Sequence, residues 1–213
     1  MNAKRIVIVS GGPWTDDYLR ELRPDDMLIG ADRGALQLIE NGLRPDVAVG
    51  DFDSVSPADV ERIRSASGRI DSCDPIDKNY TDTELAFELA LNERPSEILM
   101  LGVTGGRMDH TLANVQLLIR ALRHQIVCSI RDHNNYIQLT GSQLTVHNQG
   151  FTYVSLIPAT MEVGGVTLEG FEYPLKNATL RQGQSLSVSN KLAAPEGIVS
   201  IESGLLLVIQ SRD

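Results

Sequence analysis

The chain has 213 residues, enough for one large domain or two small ones, either with a core of its own. With 42% apolar and 22% charged residues it has the composition of an ordinary soluble globular protein. Its 19 basic and 28 acidic residues give a net charge of −9, which argues against generic binding to nucleic acid or an anionic membrane and tolerates a cationic or metal–phosphate ligand.

In the first two-thirds, strand-like and helix-like segments alternate. Residues 5–10, 27–31, 47–49, 98–101 and 126–130 are short aliphatic runs bounded by Gly, Pro or polar residues, as buried parallel strands are. The run at 6–9 is too short for a signal-peptide core or a membrane span, so the expected location is cytoplasmic. Helices are expected over 16–22, 35–41, 57–65, 82–91 and 109–122, the last with Leu112, Val115, Leu118, Ile119 and Leu122 as its apolar stripe. Thr81 and Glu84 form a capping box that opens the fourth. This βαβα order predicts a parallel sheet with helices on both faces, a three-layer α/β domain. Cys73 and Cys128 make neither a metal-ligand spacing nor a disulfide framework, which fits a reducing compartment.

The texture changes near Asn135. Short alternating runs at 144–147, 153–156, 163–168, 185–189, 198–202 and 205–209, separated by glycine-rich turns, predict a C-terminal all-β sandwich. The boundary is expected between Asn134 and Ser142, giving domains of 1–137 and 138–213.

The motifs fall where the N-terminal elements end. Asp32 follows the second strand, Gly50-Asp51-Phe52-Asp53-Ser54 closes the third, and Asp82 lies in the first turn of the helix after Thr81. Acidic residues recurring at strand ends of an open α/β sheet can build an oxygen-only site for a hard cation such as Mg²⁺ with phosphate oxygens. Gly50 lets the backbone approach a ligand closely. Each piece also has a plainer reading: Asp-x-Asp as a polar turn, Asp82 as a carboxylate meeting a helix dipole, Lys78 as one half of a surface ion pair rather than a phosphate ligand.

Gly102-Val103-Thr104-Gly105-Gly106-Arg107-Met108-Asp109-His110 runs from a strand through a glycine-rich loop into a helix. Its backbone N–H groups, the helix start and Arg107 can receive phosphate oxygens. The loop lacks the Gly-Lys-Ser/Thr ending of a Walker A motif. Gly105-Gly106 also reads as a tight turn, Asp109 as an N-cap and His110 as a structural histidine. Ser10-Gly11-Gly12-Pro13 is a weaker phosphate-loop candidate, and the single tryptophan, Trp14, stands beside it as a stacking platform or plain packing. Together these features point to a Mg²⁺-dependent enzyme acting on a phosphate compound.

In order and combination the segments resemble the thiamine pyrophosphokinases of the bacterial type. The resemblance rests on Gly30-Ala31-Asp32-Arg33-Gly34-Ala35, Pro45-Asp46 with Gly50-Asp51-Phe52-Asp53-Ser54, Lys78-Asn79-Tyr80-Thr81-Asp82-Thr83-Glu84 and the Gly102 loop, with Tyr173-Pro174-Leu175 and Ser187-Val188-Ser189-Asn190 in the tail. It implies an α/β catalytic domain that binds ATP and Mg²⁺, a β-sandwich that binds thiamine, and a homodimer with active sites at the subunit interface. The implied reaction moves a diphosphate from ATP to the hydroxyl of thiamine and releases AMP.

Residue by residue, Asp51, Asp53 and Asp82 match the family's metal-associated acids and Asp32 a further active-site acid. Lys78, Thr104, Gly105, Gly106, Arg107, Asp109 and His110 match the nucleotide side, and Ser187, Ser189 and Asn190 the thiamine side. Two positions depart from the pattern: Arg33 stands where glycine is common, and Asn79 where an acid often follows the lysine. Rival readings are another ATP-dependent pyrophosphokinase or nucleotidyltransferase for a different heterocyclic alcohol, and a nucleotide- or thiamine-sensing module without turnover.

Overall fold

A computed structural model describes residues 4–71 and 80–213, which fall into two compact units, Met1–His133 and Asn134–Asp213. The first unit contains β1 (Arg5–Val9), α1 (Asp17–Glu21), β2 (Met27–Ala31), α2 (Arg33–Glu40), β3 (Val47–Val49), α3 (Pro57–Ala66), β4 (Arg69–Asp71), α4 (Asp82–Asn92), β5 (Glu97–Leu101), α5 (Met108–Arg123) and β6 (Val127–Arg131). Its strands are all parallel, in the order β4-β3-β2-β1-β5-β6.

The strands read as continuous apolar runs because both faces of the sheet are covered; every residue of β1 is buried. Val7, Val9, Leu28, Leu99 and Leu101 pack on one face with Tyr18 of α1 and Leu38 of α2, and Ala48 packs with Ala35, Leu36 and Ile63. The alternate residues Ile8 and Ile29, which lie in register, face the other way, where α4 lies against β1, β2 and β3. The sequence gives no sign of β4, an edge strand of three residues with none buried. Among the described residues no helix is long and apolar enough to cross a membrane.

The buried face of α5 is rotated from the expected stripe. Asn114, Leu117, Leu118 and Ala121 are buried, whereas Leu112 is exposed. Asn114 sets this rotation by donating from Nδ2 to the Val103 carbonyl at 2.7 Å. At α4, Thr81 caps the Glu84 N–H at 3.2 Å as expected, but Glu84 does not close the box: its carboxylate takes Arg120 of α5 at 2.8 Å. At the opposite end of β1 from the motif loops, Arg5 is buried with Asp26 at 2.8 Å, their side chains 9% and 1% exposed.

The second unit is all β. Strands β7 (Asn135–Thr140), β13 (Leu206–Ser211) and β9 (Tyr153–Pro158) form one antiparallel sheet, and β11 (Ala178–Arg181), β10 (Glu162–Glu169), β12 (Glu196–Ser200) and β8 (Gln143–His147) another. Val154, Leu156, Leu206 and Val208 from the first share one core with Val146, Val163, Leu168 and Val199 from the second, a sandwich. The expected strand at 185–189 is not one. Val188 N–H closes a turn on the Ser185 carbonyl at 3.2 Å, and Ser189 has φ +62, which a strand does not allow.

Candidate active site

Strands β2 and β5 lie on either side of β1, so the strand order reverses there and a crevice opens at the carboxyl ends of β1 and β5. A groove of about 380 Å³ occupies that crevice, between Gly12 after β1, Asp32 after β2, Asp82 and Thr83 at the head of α4, and Thr104 and Arg107 after β5. Its floor is two glycine loops laid backbone on backbone. Gly12 N–H donates to the Gly102 carbonyl at 2.8 Å, and a Cβ on Gly12 would stand 2.4 Å from that oxygen. Gly102, at φ +64, would push a Cβ to 2.5 Å from the Ser10 carbonyl, so both positions require glycine. Tyr18 joins the loops from beneath: its Oη accepts from Gly102 N–H at 3.2 Å and donates to the Pro13 carbonyl at 3.4 Å. Burial pushes this phenol up to about 12, which keeps it a neutral donor.

At the other end the acids converge. Among the described residues, Asp32, Asp51 and Asp53 each place a carboxylate oxygen so that all three lie within 4.8 Å of one another. The backbone is bent to do this: Asp32 has φ +49, Phe52 φ +58 and Gly50 φ +136. Positive φ at non-glycine residues costs energy and is characteristic of functional sites. Ser54 Oγ donates to Asp32 Oδ2, whereas Asp32 Oδ1 is buried with no hydrogen-bond partner among the described residues. A buried carboxylate oxygen without a donor, among other carboxylates, is a donor set suited to a hard divalent cation. Asp82 joins the group through Gly50, whose missing Cβ would lie 3.2 Å from Asp82 Oδ1 and 3.4 Å from Asp32 Cα. The structure therefore brings together all four acids singled out in the sequence.

The loop after β5 is held by side chains of α5 and of the segment after β6. Thr104 Oγ1 donates to Asp132 Oδ2 at 2.7 Å, and Gly105 N–H donates to Thr111 Oγ1 at 3.3 Å. Arg107 grips Asp109 at 2.6 Å and holds its carboxyl down to about 2. The helix starts at Met108, so Asp109 is not its N-cap; Arg107 occupies that position without a side-chain cap. Gly106 and His110 are exposed and line the groove. Lys78 and Asn79 lie outside the described residues. Sequence reasoning missed Tyr18, Ser54, Asn114 and Asp132 as parts of this site. Asp132 had a signal of the kind used for the others, being an acid just past the end of β6.

Against known proteins, residues 18–130 match the family described as the catalytic domain of thiamin pyrophosphokinase, and residues 142–206 match its vitamin B1 binding domain. The thiamine pyrophosphokinase of Bacillus subtilis is 35% identical, over 99% of this chain and all of that protein. The chain belongs to the thiamin pyrophosphokinase family. The crystal structure of the Bacillus subtilis thiamine pyrophosphokinase superposes with a TM-score of 0.92 at 34% identity, over 99% of this chain and all of that one. That of the Geobacillus thermodenitrificans thiamin pyrophosphokinase gives 0.88 at 35% identity, over 98% of each chain.

Within the part matching the vitamin B1 binding domain, the three expected thiamine-side residues differ in their surroundings. Ser187 is buried and donates to the Leu156 carbonyl at 2.7 Å. Asn190 is buried too, and its amide pairs with the Tyr173 backbone as a strand would, accepting from N–H at 3.0 Å and donating to C=O at 2.7 Å. Both side chains are committed to the fold of the segment. Ser189 is exposed, and its strained φ of +62 is held by its N–H donating to Ser155 Oγ at 3.0 Å. Around it Tyr173, Leu186 and Val188 are exposed as well, an apolar rim on a polar turn.

Proposed function

We propose that this member of the thiamin pyrophosphokinase family transfers the diphosphate of ATP to the hydroxyl of thiamine, giving thiamine diphosphate and AMP. The observation that carries this reading is the meeting of Asp32, Asp51 and Asp53 within 4.8 Å at the carboxyl ends of β2 and β3, beside a glycine-floored groove. The oxygen-only donors and the orphaned Asp32 Oδ1 fit Mg²⁺, which Asp32, Asp51 and Asp53 would hold with Asp82 beside them. When bound, such an ion neutralises phosphate oxygens and favours departure of AMP.

The chain's own residues supply position and field. In the reaction the alcohol oxygen of thiamine bonds to the β-phosphorus of ATP, the bond from that phosphorus to the α,β-bridging oxygen breaks, and the alcohol loses its proton. Rate in such a transfer comes mainly from alignment and electrostatics. Thr104, Gly106 and Arg107 face the nucleotide, with Arg107 kept in place by Asp109. The acidic end of the groove also favours the fixed positive charge of the thiazolium ring.

The acceptor side belongs to the β unit, with Ser189 the residue best placed to meet thiamine and Ser187 and Asn190 shaping its turn. We further propose that the working form is a homodimer in which the β unit of one copy completes the groove of the other, acting in the cytoplasm. Incubation with ATP, Mg²⁺ and thiamine, with both products identified by mass, tests the reaction: thiamine diphosphate with AMP is expected. Release of pyrophosphate instead would make the protein a nucleotidyltransferase, and no product at all would reject turnover.

A further inference from the structure

Behind the glycine loop lies a second hollow of about 500 Å³, which shares Gly11, Gly12 and Pro13 with the groove but is otherwise walled by Trp14, Arg33, Gln37, Glu40 and Asn41. Arg33 is the one cation of its described lining, at a position that departs from the pattern of the family it resembles. The guanidinium is exposed and makes no hydrogen bond or ion pair among the described residues, and its stem runs along Gly11, where an added Cβ would meet Arg33 Cβ at 3.1 Å. By contrast, Arg107, the cation of the groove's described lining, is already tied to Asp109. Two of its wall residues also carry a buried polar atom without a partner among the described residues, the donor Trp14 Nε1 and the acceptor Gln37 Oε1. A cavity lined by an unused planar fork of donors can receive an anion.

We propose that this hollow is a second phosphate-binding subsite, with Arg33 as its cation. The occupant is a phosphate or diphosphate group, either free or the outer end of ATP reaching over the Gly11 lip. Glu40 lies seven residues along α2, about 10 Å from Arg33 by helix rise, and its carboxylate closes the far end to a longer polyanion. This inference goes beyond the proposed reaction, and the titration that tests it needs no turnover.

Trp14 is the only tryptophan and lines this hollow, so its emission reports occupancy. The full-length protein, in buffer with a chelator that removes divalent cations, is titrated with potassium pyrophosphate, following emission and, in parallel, heat. Saturable binding is expected, weakened about tenfold or more by Arg33→Ala and less by Arg33→Lys, which keeps the charge but loses the fork. Arg107→Ala, on the groove side, is expected to leave the curve in place. Repeating the titration with saturating ATP separates the sources: competition assigns the subsite to the outer phosphates of ATP, and unchanged binding assigns it to a free anion. No binding by either measure, the same affinity in folded Arg33→Ala, or loss of binding in Arg107→Ala would overturn the proposal.

Discussion

Gly50 faces Asp82 across the acid cluster, with the place of its missing Cβ only 3.2 Å from Asp82 Oδ1. The glycine is required twice, since its φ of +136 is one that side chains rarely adopt. Gly50→Ala is therefore expected to lose more than about 1 kcal/mol of stability from backbone strain. It should also displace Asp82 and lower turnover, with a higher Mg²⁺ concentration needed for half-maximal rate. Thermal unfolding and an Mg²⁺ titration of AMP release check the two effects separately.

Asp51→Asn and Asp53→Asn keep the shape of the cluster and remove a charge. Each should lower kcat by about 10²–10³-fold, the usual scale for removing one electrostatic group, with little change in melting temperature. Ser54→Ala acts through Asp32, to which Ser54 donates, and should weaken apparent Mg²⁺ affinity about 10–100-fold. Near-normal rates for both Asp variants at limiting Mg²⁺ would remove the cluster from the chemistry.

On the acceptor side the two neighbouring positions should behave oppositely. Asn190→Ala leaves the Tyr173 N–H and carbonyl without their amide partner and is expected to destabilise the β unit by about 1–3 kcal/mol. Ser189→Ala should leave unfolding nearly unchanged and raise KM for thiamine but not for ATP. In purified hybrid dimers pairing Ser189→Ala with Asp51→Asn, activity above either parent is expected if the two units work across copies. No gain in confirmed hybrids would place both in one subunit's site.

The Arg5–Asp26 pair offers a contrasting test, because it is buried at the end of β1 away from the groove. Removing Asp26 leaves Arg5 with only its longer contact to Glu97 at 3.5 Å and the Glu21 carbonyl, so Asp26→Ala should cost about 3 kcal/mol, the low end for breaking a buried pair, in denaturant unfolding. Below its lowered unfolding midpoint its kcat and KM should match those of the parent.

Tyr18 gives a pH signature. Its phenol is raised from 10.0 to about 12 by burial, so the folded state keeps a proton that the unfolded chain gives up first. The stability from this difference is whole below pH 10 and is lost progressively as pH rises from about 10 through 12. The melting temperature should therefore fall across that window, and Tyr18→Phe, which lacks the titrating group, should flatten the fall.

The sequence made the parallel strands legible because burial on both faces leaves runs that are almost wholly apolar, as in β1 after Arg5 and in β2. The acids were legible because Asp32, Asp51 and Asp53 end successive strands of one sheet, so chain order alone brings them to one edge. Tyr18 was not, since its phenol reaches the groove floor through contacts 84 residues apart in sequence. Nor was the buried face of α5, where Asn114, a polar residue outside the apolar stripe, is drawn inward by the Val103 carbonyl. The alternation of 185–189 resembles a strand, but a turn bond at Val188 and a left-handed Ser189 break it, and neither is written in hydrophobicity.

The contact between Gly12 and Gly102 limits how this protein can vary. The carbonyls of Gly102 and Thr104 occupy the volume a side chain at Gly12 would need, and the Ser10 carbonyl occupies the volume one at Gly102 would need. A survey of single substitutions should find both positions closed even to alanine. Exchanging the two together gains nothing, because the obstacles are carbonyl oxygens rather than side chains that can be trimmed in return. Any route to a roomier groove must then begin in the tether, by shortening or lengthening a loop, before any residue on its floor can change.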